Sequence, residues 1–247
     1  MPKFLSGLMG SVSDLFFPKI CQGCGERFET GLSNILCLSC LNSIAAYEDP
    51  VCSHCGMSLP PGAFEDAVLS RCRDCGDGNY HLDQVRAVGP YEGPLRIAHH
   101  GFKFEGMEAL GGILADKMVF SSPPAFWEGV ETLVPVPLSP ERERERGYNP
   151  AALLAFEISR AKGIPWRLLL RKTKSTRPQM SLTREERLKN PKGVYCPEEG
   201  AKVPSKLVLV DDVFTTGATL EECAKSLKEA GGSWVGAVVL GRTPRYF

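Results

Sequence analysis

Two adjacent carboxylates and a run of small hydroxyl residues stand close together in the stretch LVLVDDVFTTGATL, residues 207–220. Asp211 and Asp212 follow an apolar strand predicted at residues 206–210, and a helix is predicted after them. A helix N-terminus favours an anion, and small side chains let a phosphate approach its N–H groups. The candidate phosphate-binding residues are Thr215, Thr216, Gly217, Ala218 and Thr219. Because carboxylates suit ribose hydroxyls, or a magnesium ion shared with substrate oxygens, the stretch predicts a site for a phosphorylated ribose.

Eight of the ten cysteines form four Cys-x-x-Cys pairs, a spacing that directs two thiolates to one tetrahedral zinc ion. The predicted ligands are Cys21, Cys24, Cys37, Cys40, Cys52, Cys55, Cys72 and Cys75. Pairing of neighbours gives one site from the first four cysteines and one from the last four, and an interleaved cross-brace is the alternative. Four ligands leave no open position, so both zinc ions are predicted to be structural. A disulfide framework is less favoured, because the strict spacing suits zinc and the cytoplasm is reducing.

Four residues near this chemistry are interpreted as structural. His54 lies inside the third cysteine pair and is expected to be a solvated turn residue, because the cysteine count is already complete. His99 and His100 are expected to be turn or surface residues rather than acid–base catalysts. Cys223 lies on the apolar face of a predicted helix and is expected to be a core thiol.

Basic residues concentrate in two segments of the second half. In an extended ERERER segment, one side would carry all three arginines, Arg142, Arg144 and Arg146. In a helix the same arginines would scatter among the glutamates as an ordinary solvated face. Pro140 and Gly147 flank the segment and favour a loop. The extended form is therefore preferred, and its arginine side would be a cationic face for diphosphate or nucleic acid. Residues 171–194 hold eight basic and two acidic side chains, and a charged loop of this length is either functional or disordered.

The composition limits the classes of protein to consider. The chain has 247 residues, of which 43% are hydrophobic, which is enough for a sizeable core. Basic and acidic residues balance at 29 each, so the overall charge favours neither nucleic acid nor a membrane. The N-terminal residues lack a compact signal-peptide core, and no apolar run of about 18 residues suggests a membrane span. A cytoplasmic protein is therefore expected.

The elements that would position these residues alternate between strands and helices from about residue 85. QVRAVGP, ETLVPVPL, KLVLVDDV and WVGAVVLGR are predicted strands, and WRLLLRKT is a shorter one. NPAALLAFEISRAKG and ATLEECAKSLKEAGG are predicted helices. Apolar strands separated by helices predict an α/β fold with a parallel sheet, in which ligands bind at the carboxyl ends of the strands. The expected organisation is a zinc module with a short N-terminal helix at residues 1–80 and the α/β domain at 81–247.

The stretch VLVDDVFTTGAT resembles the phosphoribosyl-diphosphate motif of type I phosphoribosyltransferases, in which two acidic residues follow an apolar strand and precede Thr-Gly-Ala-Thr. Four Cys-x-x-Cys pairs ahead of such a domain, together with VPVPLSPERERERGYN, resemble the ComF family of competence-associated proteins. The resemblance implies a double zinc ribbon followed by a type I phosphoribosyltransferase-like domain. It also implies phosphoribosyl diphosphate and magnesium as ligands.

The resemblance adds cationic candidates for binding diphosphate or nucleic acid. Arg144 and Arg146 match the family's Arg-x-Arg-Gly-aromatic-Asn segment, and Lys103 resembles a lysine that the family carries in the same stretch. Three positions in the long basic loop look like the family's flap pattern: Lys172, Arg177 and Gln179.

Two kinds of function follow as hypotheses. In the first, the chain binds phosphoribosyl diphosphate with magnesium, acts in DNA uptake and natural transformation, and is a possible phosphoribosyltransferase with an unidentified acceptor. Asp211 and Asp212 would then hold the ribose diol. In the second, the same fold is non-catalytic and either binds single-stranded DNA or docks on a DNA-uptake helicase. Three aromatic residues near basic ones would stack the bases: Phe102, Phe104 and Tyr148.

Overall fold

The computed structural model describes residues 19–28, 33–48, 50–59, 71–73, 75–76, 78–173 and 193–243. A four-stranded sheet lies at its centre, with strand order β1-β6-β5-β2 and parallel pairing throughout. The strands are β1 (Gln84–Pro90), β2 (Thr132–Pro135), β5 (Lys206–Phe214) and β6 (Trp234–Arg242). The predicted α/β fold with a parallel sheet flanked by helices is confirmed.

The helices begin and end largely where sequence signals indicate. They are α1 (Leu38–Asn42), α2 (Gly93–Phe104), α3 (Leu110–Phe120), α4 (Pro124–Trp127), α5 (Pro140–Arg146), α6 (Pro150–Lys162) and α7 (Ala218–Glu229). In α6 the Asn149 side chain accepts a hydrogen bond from the Ala151 N–H, and Gly163 ends the helix with a left-handed φ of 68°. Within the described ranges, no helix is long and apolar enough to cross a membrane.

The sheet is buried on both faces. Val208 and Val210 of β5 pack into one core, which α2, α3 and α6 cover. Leu207 and Leu209, one residue out of phase, pack into a second core, which α7 covers. Because successive strand residues face opposite sides, a continuous apolar run is needed to fill both cores.

The basic region begins in a separate small sheet. Of the predicted strand WRLLLRKT, only β3 (Leu170–Lys172) forms, and it pairs antiparallel with β4 (Tyr195–Pro197). These two strands form a sheet of their own rather than a fifth strand of the parallel sheet. Arg177 and Gln179 lie outside the described residues.

The cysteines form two clusters, which lie on opposite faces of the sheet. Cluster one (Cys21, Cys24, Cys37, Cys40) contributes to the core on the α2 side, and cluster two (Cys52, Cys55, Cys72, Cys75) to the core on the α7 side. Both segments also bond to the β1 backbone. The Tyr47 N–H donates to the Val88 carbonyl at 2.9 Å, and the Val85 N–H donates to the His54 carbonyl at 2.7 Å. The cysteine segments therefore share their apolar cores with the α/β domain.

Candidate functional site

The two carboxylates lie within β5 rather than beyond it. The sequence predicted a strand that stops at residue 210, which is wrong, because β5 stays paired with β6 up to Phe214 opposite Arg242. Neighbouring residues of a strand face opposite sides of the sheet. Asp212 therefore faces α2, and Asp211 faces α7, so each carboxylate has its own surroundings.

The surroundings of Asp212 are cationic. Its Oδ2 accepts a hydrogen bond from Lys103 Nζ and lies 3.3 Å from His99 Nε2. The Tyr91 hydroxyl lies 2.7 Å from His99 Nδ1 and so fixes the other side of the ring. Burial would raise the pKa of Asp212, but Lys103 and His99 outweigh burial and hold that pKa below its usual value. Asp212 is therefore a stably ionised carboxylate.

His99 corrects one expectation from the sequence. It was expected at a turn or on the surface, yet it lies inside α2 with 2% of its surface exposed, against Asp212. His99 and Lys103 are four residues apart, so they lie on the same side of the helix, one turn from each other. This spacing within the apolar pattern of α2 is the signal that would have identified His99. His100, one residue further, is exposed as expected.

The surroundings of Asp211 are less favourable to charge. Burial and the nearby charge of Asp212 raise the pKa of Asp211 to about 7. Lys103 and Lys172 act in the opposite direction but only in part. Burial lowers the pKa of Lys172, and Cys223 and Asp211 are the groups that oppose this effect. Lys172 Nζ lies 5.5 Å from the centre of the Tyr195 ring in β4. Two adjacent carboxylates thus have opposite tendencies, since Asp212 stays ionised and Asp211 takes up a proton near neutral pH.

The loop of residues 215–219, here called the threonine loop, joins β5 to α7. Gly217 is the N-cap of α7 and has a left-handed φ of 82°. A Cβ atom at Gly217 would lie 2.5 Å from Phe214 Cζ, so the loop backbone packs directly on that ring. The Thr216 hydroxyl accepts a hydrogen bond from the Ala218 N–H at 3.4 Å. The first N–H groups of a helix have no partner within the helix, so the loop presents donors suited to an anion next to the carboxylates.

The arginine segment is a helix, and the prediction of a loop is wrong. The Ser139 hydroxyl caps α5 by accepting from the Arg142 N–H, and Pro140 occupies the first turn. Gly147 ends the helix with a left-handed φ of 83°. The proline and glycine that suggested a loop are thus the start and stop signals of a two-turn helix.

Helical geometry separates the two predicted arginines. The Arg146 guanidinium lies 5.0 Å from the centre of the Phe104 ring. Burial holds the pKa of Arg146 below its usual value, and Asp212 is the first of the charges that oppose this shift. Arg144 is exposed, and its Nε donates to the Pro140 carbonyl of its own helix at 3.2 Å. Arg146, but not Arg144, therefore lies beside the carboxylates.

The three aromatic candidates also differ. Phe102 is fully buried, and its carbonyl accepts a hydrogen bond from the Tyr148 hydroxyl. Phe104 is 53% exposed at the end of α2, with Arg146 on its ring and Lys103 Nζ 5.8 Å from its centre. Phe104 is therefore the aromatic ring of the three that is open to stacking.

Both cysteine clusters have the geometry of tetrahedral zinc sites. In each, the four sulfurs lie within 4.8 Å of one another, in the sequential pairing. Cys24 Sγ and Cys37 Sγ are 3.9 Å apart, and Cys55 Sγ and Cys72 Sγ are 3.6 Å apart. Zinc–sulfur bonds of about 2.3 Å place thiolates about 3.8 Å apart in a tetrahedron. All these cysteines are free of disulfides, so the residues present fit two structural zinc ions.

Backbone N–H groups also point at the sulfurs. The Cys37 N–H donates to Cys21 Sγ at 3.3 Å, and the Cys72 N–H donates to Cys52 Sγ at 3.3 Å. Such bonds stabilise the thiolate form that zinc requires. His54 is no zinc ligand, but the expectation that it is solvated is wrong. It is 2% exposed and stacks on Tyr80 with ring centres 3.9 Å apart.

These features define an α/β protein with a four-stranded parallel sheet flanked by helices, joined to a small module with two four-cysteine clusters. Comparison with known proteins agrees. The double zinc ribbon domain matches residues 12–76. Competence protein F of Haemophilus influenzae is 31% identical over 223 residues, which cover 87% of this chain and 93% of that protein. The chain belongs to the ComF family.

Further relatives carry related names. Competence protein ComFC of Bacillus subtilis is 31% identical over 204 residues, 79% of each chain. DNA utilization protein YhgH of Escherichia coli K12 is 27% identical over 237 residues, 93% of this chain and 99% of that one. Among solved structures, the glutamine phosphoribosylpyrophosphate amidotransferase of B. subtilis with ADP and GMP is 19% identical with a TM-score of 0.37. The match covers 53% of this chain and 26% of that one.

Proposed function

We propose that this chain binds phosphoribosyl diphosphate together with Mg²⁺ at the carboxyl end of β5, and that it does so as a protein of DNA uptake. The observation that carries the proposal is the convergence of two carboxylates, the threonine loop and three cations at one end of the sheet. The cations are Lys103, which pairs with Asp212, Arg146, which shares the Phe104 ring with Lys103, and Lys172, which lies at the Tyr195 ring. Tyr195 lines one cavity with Thr216 and Ala218 of the threonine loop. A ribose that carries a phosphate and a diphosphate can use all of these groups, with the loop for the phosphate, the carboxylates for the hydroxyls and the cations for the diphosphate.

Each part of the ligand has a matching part of the site. The 5′-phosphate accepts hydrogen bonds from the N–H groups of the threonine loop, where the helix dipole favours negative charge. Asp211 and Asp212 would hold the ribose hydroxyls and would offer carboxylate oxygens to a magnesium ion. In the structure Lys103 donates a hydrogen bond to Asp212. Ligand binding would separate the two residues, because Asp212 would bind the ribose hydroxyls and Lys103 would bind the diphosphate. Bound magnesium would neutralise the charge of the diphosphate.

A transferase reaction is the chemistry this arrangement suits. The bond between the anomeric carbon and the diphosphate oxygen would break, and its electron pair would leave with the diphosphate. An acceptor lone pair would form the new bond to an oxocarbenium-like ribose and the acceptor would lose a proton. Incubation with bases, amines and oligonucleotides, followed by measurement of diphosphate release, distinguishes a transferase from a protein that only binds the ligand.

The proposed role in DNA uptake rests on the relatives. Two of them are competence proteins, and a third is a DNA utilization protein. The match to Competence protein F covers 87% of this chain and 93% of that protein, so it extends well beyond the zinc ribbon domain at residues 12–76. A chain with this organisation is therefore proposed to act on incoming DNA or on its products.

Single-stranded DNA is the second candidate ligand, and one observation favours it. Phe104 offers an exposed ring flanked by Arg146 and Lys103, which is the combination that stacks bases and neutralises phosphates. This surface adjoins Asp212, so a strand and a ribose ligand would compete for Lys103. Competition between an oligonucleotide and phosphoribosyl diphosphate in one assay would reveal overlapping sites.

Calorimetric titration with magnesium and phosphoribosyl diphosphate tests the main proposal. The wild-type chain is expected to bind, and Asp212→Asn to lose at least about tenfold in affinity, because a charge-assisted contact is worth about 1.5 to 3 kcal/mol. Asp116→Asn is the matched control, since Asp116 is an exposed residue of α3 away from the site. Equal affinity in all three proteins would refute the assignment. A thermal melt of each variant separates loss of ligand contacts from loss of fold.

A further inference from the structure

A buried arginine connects cysteine cluster two with the end of the sheet. Arg242, at the end of β6, is 1% exposed, and its Nη1 donates to the Cys55 carbonyl at 3.1 Å. Taking a guanidinium out of water costs several kcal/mol unless negative charge compensates it. With zinc bound, the four thiolates of cluster two would supply that charge, and the hydrogen bond to the Cys55 carbonyl holds the guanidinium at the cluster. A zinc ion with four thiolates keeps a net charge of −2, so cluster two remains an anionic partner when zinc is bound.

The same guanidinium touches the residue that supports the threonine loop. Its Cζ lies 5.3 Å from the centre of the Phe214 ring, and Phe214 pairs with Arg242 across β5 and β6. The Phe214 ring in turn packs under Gly217, where it leaves no room for a Cβ atom. A continuous set of contacts therefore runs from cluster two through Arg242 and Phe214 to Gly217.

A second link reaches the loop from the other side. Glu221 lies in the first turn of α7, which begins at the threonine loop. Its Oε2 accepts hydrogen bonds from the His81 N–H at 2.8 Å and the Leu82 N–H at 3.4 Å. Its Oε1 lies 3.6 Å from Nε2 of His54, the buried residue between Cys52 and Cys55. Both ends of the loop are thus connected to the segment that carries cluster two.

Cluster one has different neighbours. It packs on the opposite face of the sheet, where Ile35 lies against Gly101 of α2. The two clusters have the same ligands but different neighbours, because cluster one lies against α2 and cluster two adjoins the end of β6 and the start of α7.

We propose that the zinc ion of cluster two, acting through Arg242 and Phe214, holds the threonine loop in its ligand-binding form, so that zinc binding and ligand binding are coupled. Arg242 and Phe214 are positioning residues, since neither is assigned a contact with the ligand. Coupling of this kind is reciprocal: if zinc favours the binding form of the loop, bound ligand must slow or weaken the loss of that zinc. The choice of phosphoribosyl diphosphate as the ligand rests on the proposed function. The contact between Arg242 and cluster two does not depend on it.

Zinc release to a chromogenic chelator, with and without magnesium and phosphoribosyl diphosphate, tests the coupling. In the wild-type chain, ligand is expected to slow the release of one zinc equivalent and leave the other unaffected. Arg242→Met is expected to speed release of the same equivalent by about 10- to 100-fold, the usual effect of removing a group that supports metal ligands. Arg242→Lys, which keeps the charge, is expected to restore slow release in part. Arg160→Met, on the exposed face of α6, is the matched control.

A second variant separates the metal contact from the loop contact. Phe214→Leu keeps the pair between Arg242 and cluster two but removes the ring beneath Gly217. Zinc release is expected to stay slow in this variant, while affinity for phosphoribosyl diphosphate falls about tenfold or more, as expected when a supporting residue is lost. Circular dichroism confirms the fold of each protein, and if Arg242→Met fails to fold, Arg242→Lys and Phe214→Leu still provide both tests.

Three results would overturn the proposal. They are equal zinc release in Arg242→Met and Arg160→Met, equal protection of both zinc ions by ligand, and full ligand affinity in Phe214→Leu. If the wild-type chain does not bind phosphoribosyl diphosphate at all, the proposed function fails. The effect of Arg242→Met on zinc release then still decides whether Arg242 supports cluster two.

Discussion

Asp211 should make ligand binding depend on pH. Its pKa is raised to about 7 by burial and by the charge of Asp212, whereas the pKa of Asp212 lies below its usual value. Magnesium and ribose hydroxyls need the ionised form of Asp211. Affinity for phosphoribosyl diphosphate is therefore expected to rise with pH through about 7 and to level off above it.

The size of this effect follows from the pKa. With a pKa of about 7, the ionised fraction of Asp211 is about 9% at pH 6 and about 91% at pH 8. If the ionised form binds, affinity should increase about tenfold across this interval. The ligand's own phosphate also titrates near pH 6, and this contribution must be removed.

Calorimetric titrations of wild type and Asp211→Asn at pH 6, 7 and 8 provide the measurement. Asn cannot ionise, so the variant should bind weakly and retain only the part of the pH dependence that comes from the ligand. The ratio of the two affinities should then rise about tenfold from pH 6 to pH 8. A constant ratio would mean that Asp211 does not change its charge in this range or does not contact the ligand, and either result would contradict the assignment of Asp211.

Four other predictions follow. Metal analysis should find about two zinc ions per chain, one for each four-cysteine cluster, and a metal-free preparation of native stability would contradict this. Gly217→Ala should lower both the melting temperature and the ligand affinity, because the left-handed backbone costs about 1 to 2 kcal/mol and the new Cβ would meet the Phe214 ring, whereas unchanged values would refute the packing argument. Arg146→Gln should weaken binding of phosphoribosyl diphosphate and of single-stranded DNA more than Arg144→Gln, measured by calorimetry and fluorescence anisotropy, and equal effects would contradict the separation by α5. In thermal melts between about pH 4 and 7, the stability of wild type relative to Asp211→Asn should fall as pH rises, because folded Asp211 keeps a proton that the unfolded chain releases near pH 4, and a constant difference would contradict the raised pKa of Asp211.

Much of the fold could be predicted because it depends on local patterns. The residues from Leu207 to Val210 are all apolar, as expected for a strand that is buried on both faces of a sheet. The Cys-x-x-Cys spacing determines a metal knuckle within four residues, so the zinc ligands needed no knowledge of tertiary structure. The choice between sequential and interleaved pairing did require the tertiary structure. In the structure the first four of these cysteines form one cluster and the last four form the other.

The contacts that tune the site could not be predicted, because they join distant parts of the chain. Lys103 and Asp212 are 109 residues apart, and Arg242 is 187 residues from Cys55. The arginine segment was interpreted wrongly for a local reason: proline before it and glycine after it suit both a loop and a capped short helix. His54 was expected in solvent because packing of the cysteine segment on the sheet cannot be inferred from a ligand count.

A crystal structure of the chain with magnesium and phosphoribosyl diphosphate would show whether the carboxyl end of β5 is the site for this ligand. We expect the 5′-phosphate within about 3.2 Å of the backbone N–H groups of residues 215–219. We also expect the ribose hydroxyls at Asp211 and Asp212, with Lys103 turned from Asp212 toward the diphosphate. Ligand bound elsewhere, or a site that stays empty at millimolar ligand while Lys103 remains paired with Asp212, would contradict the account.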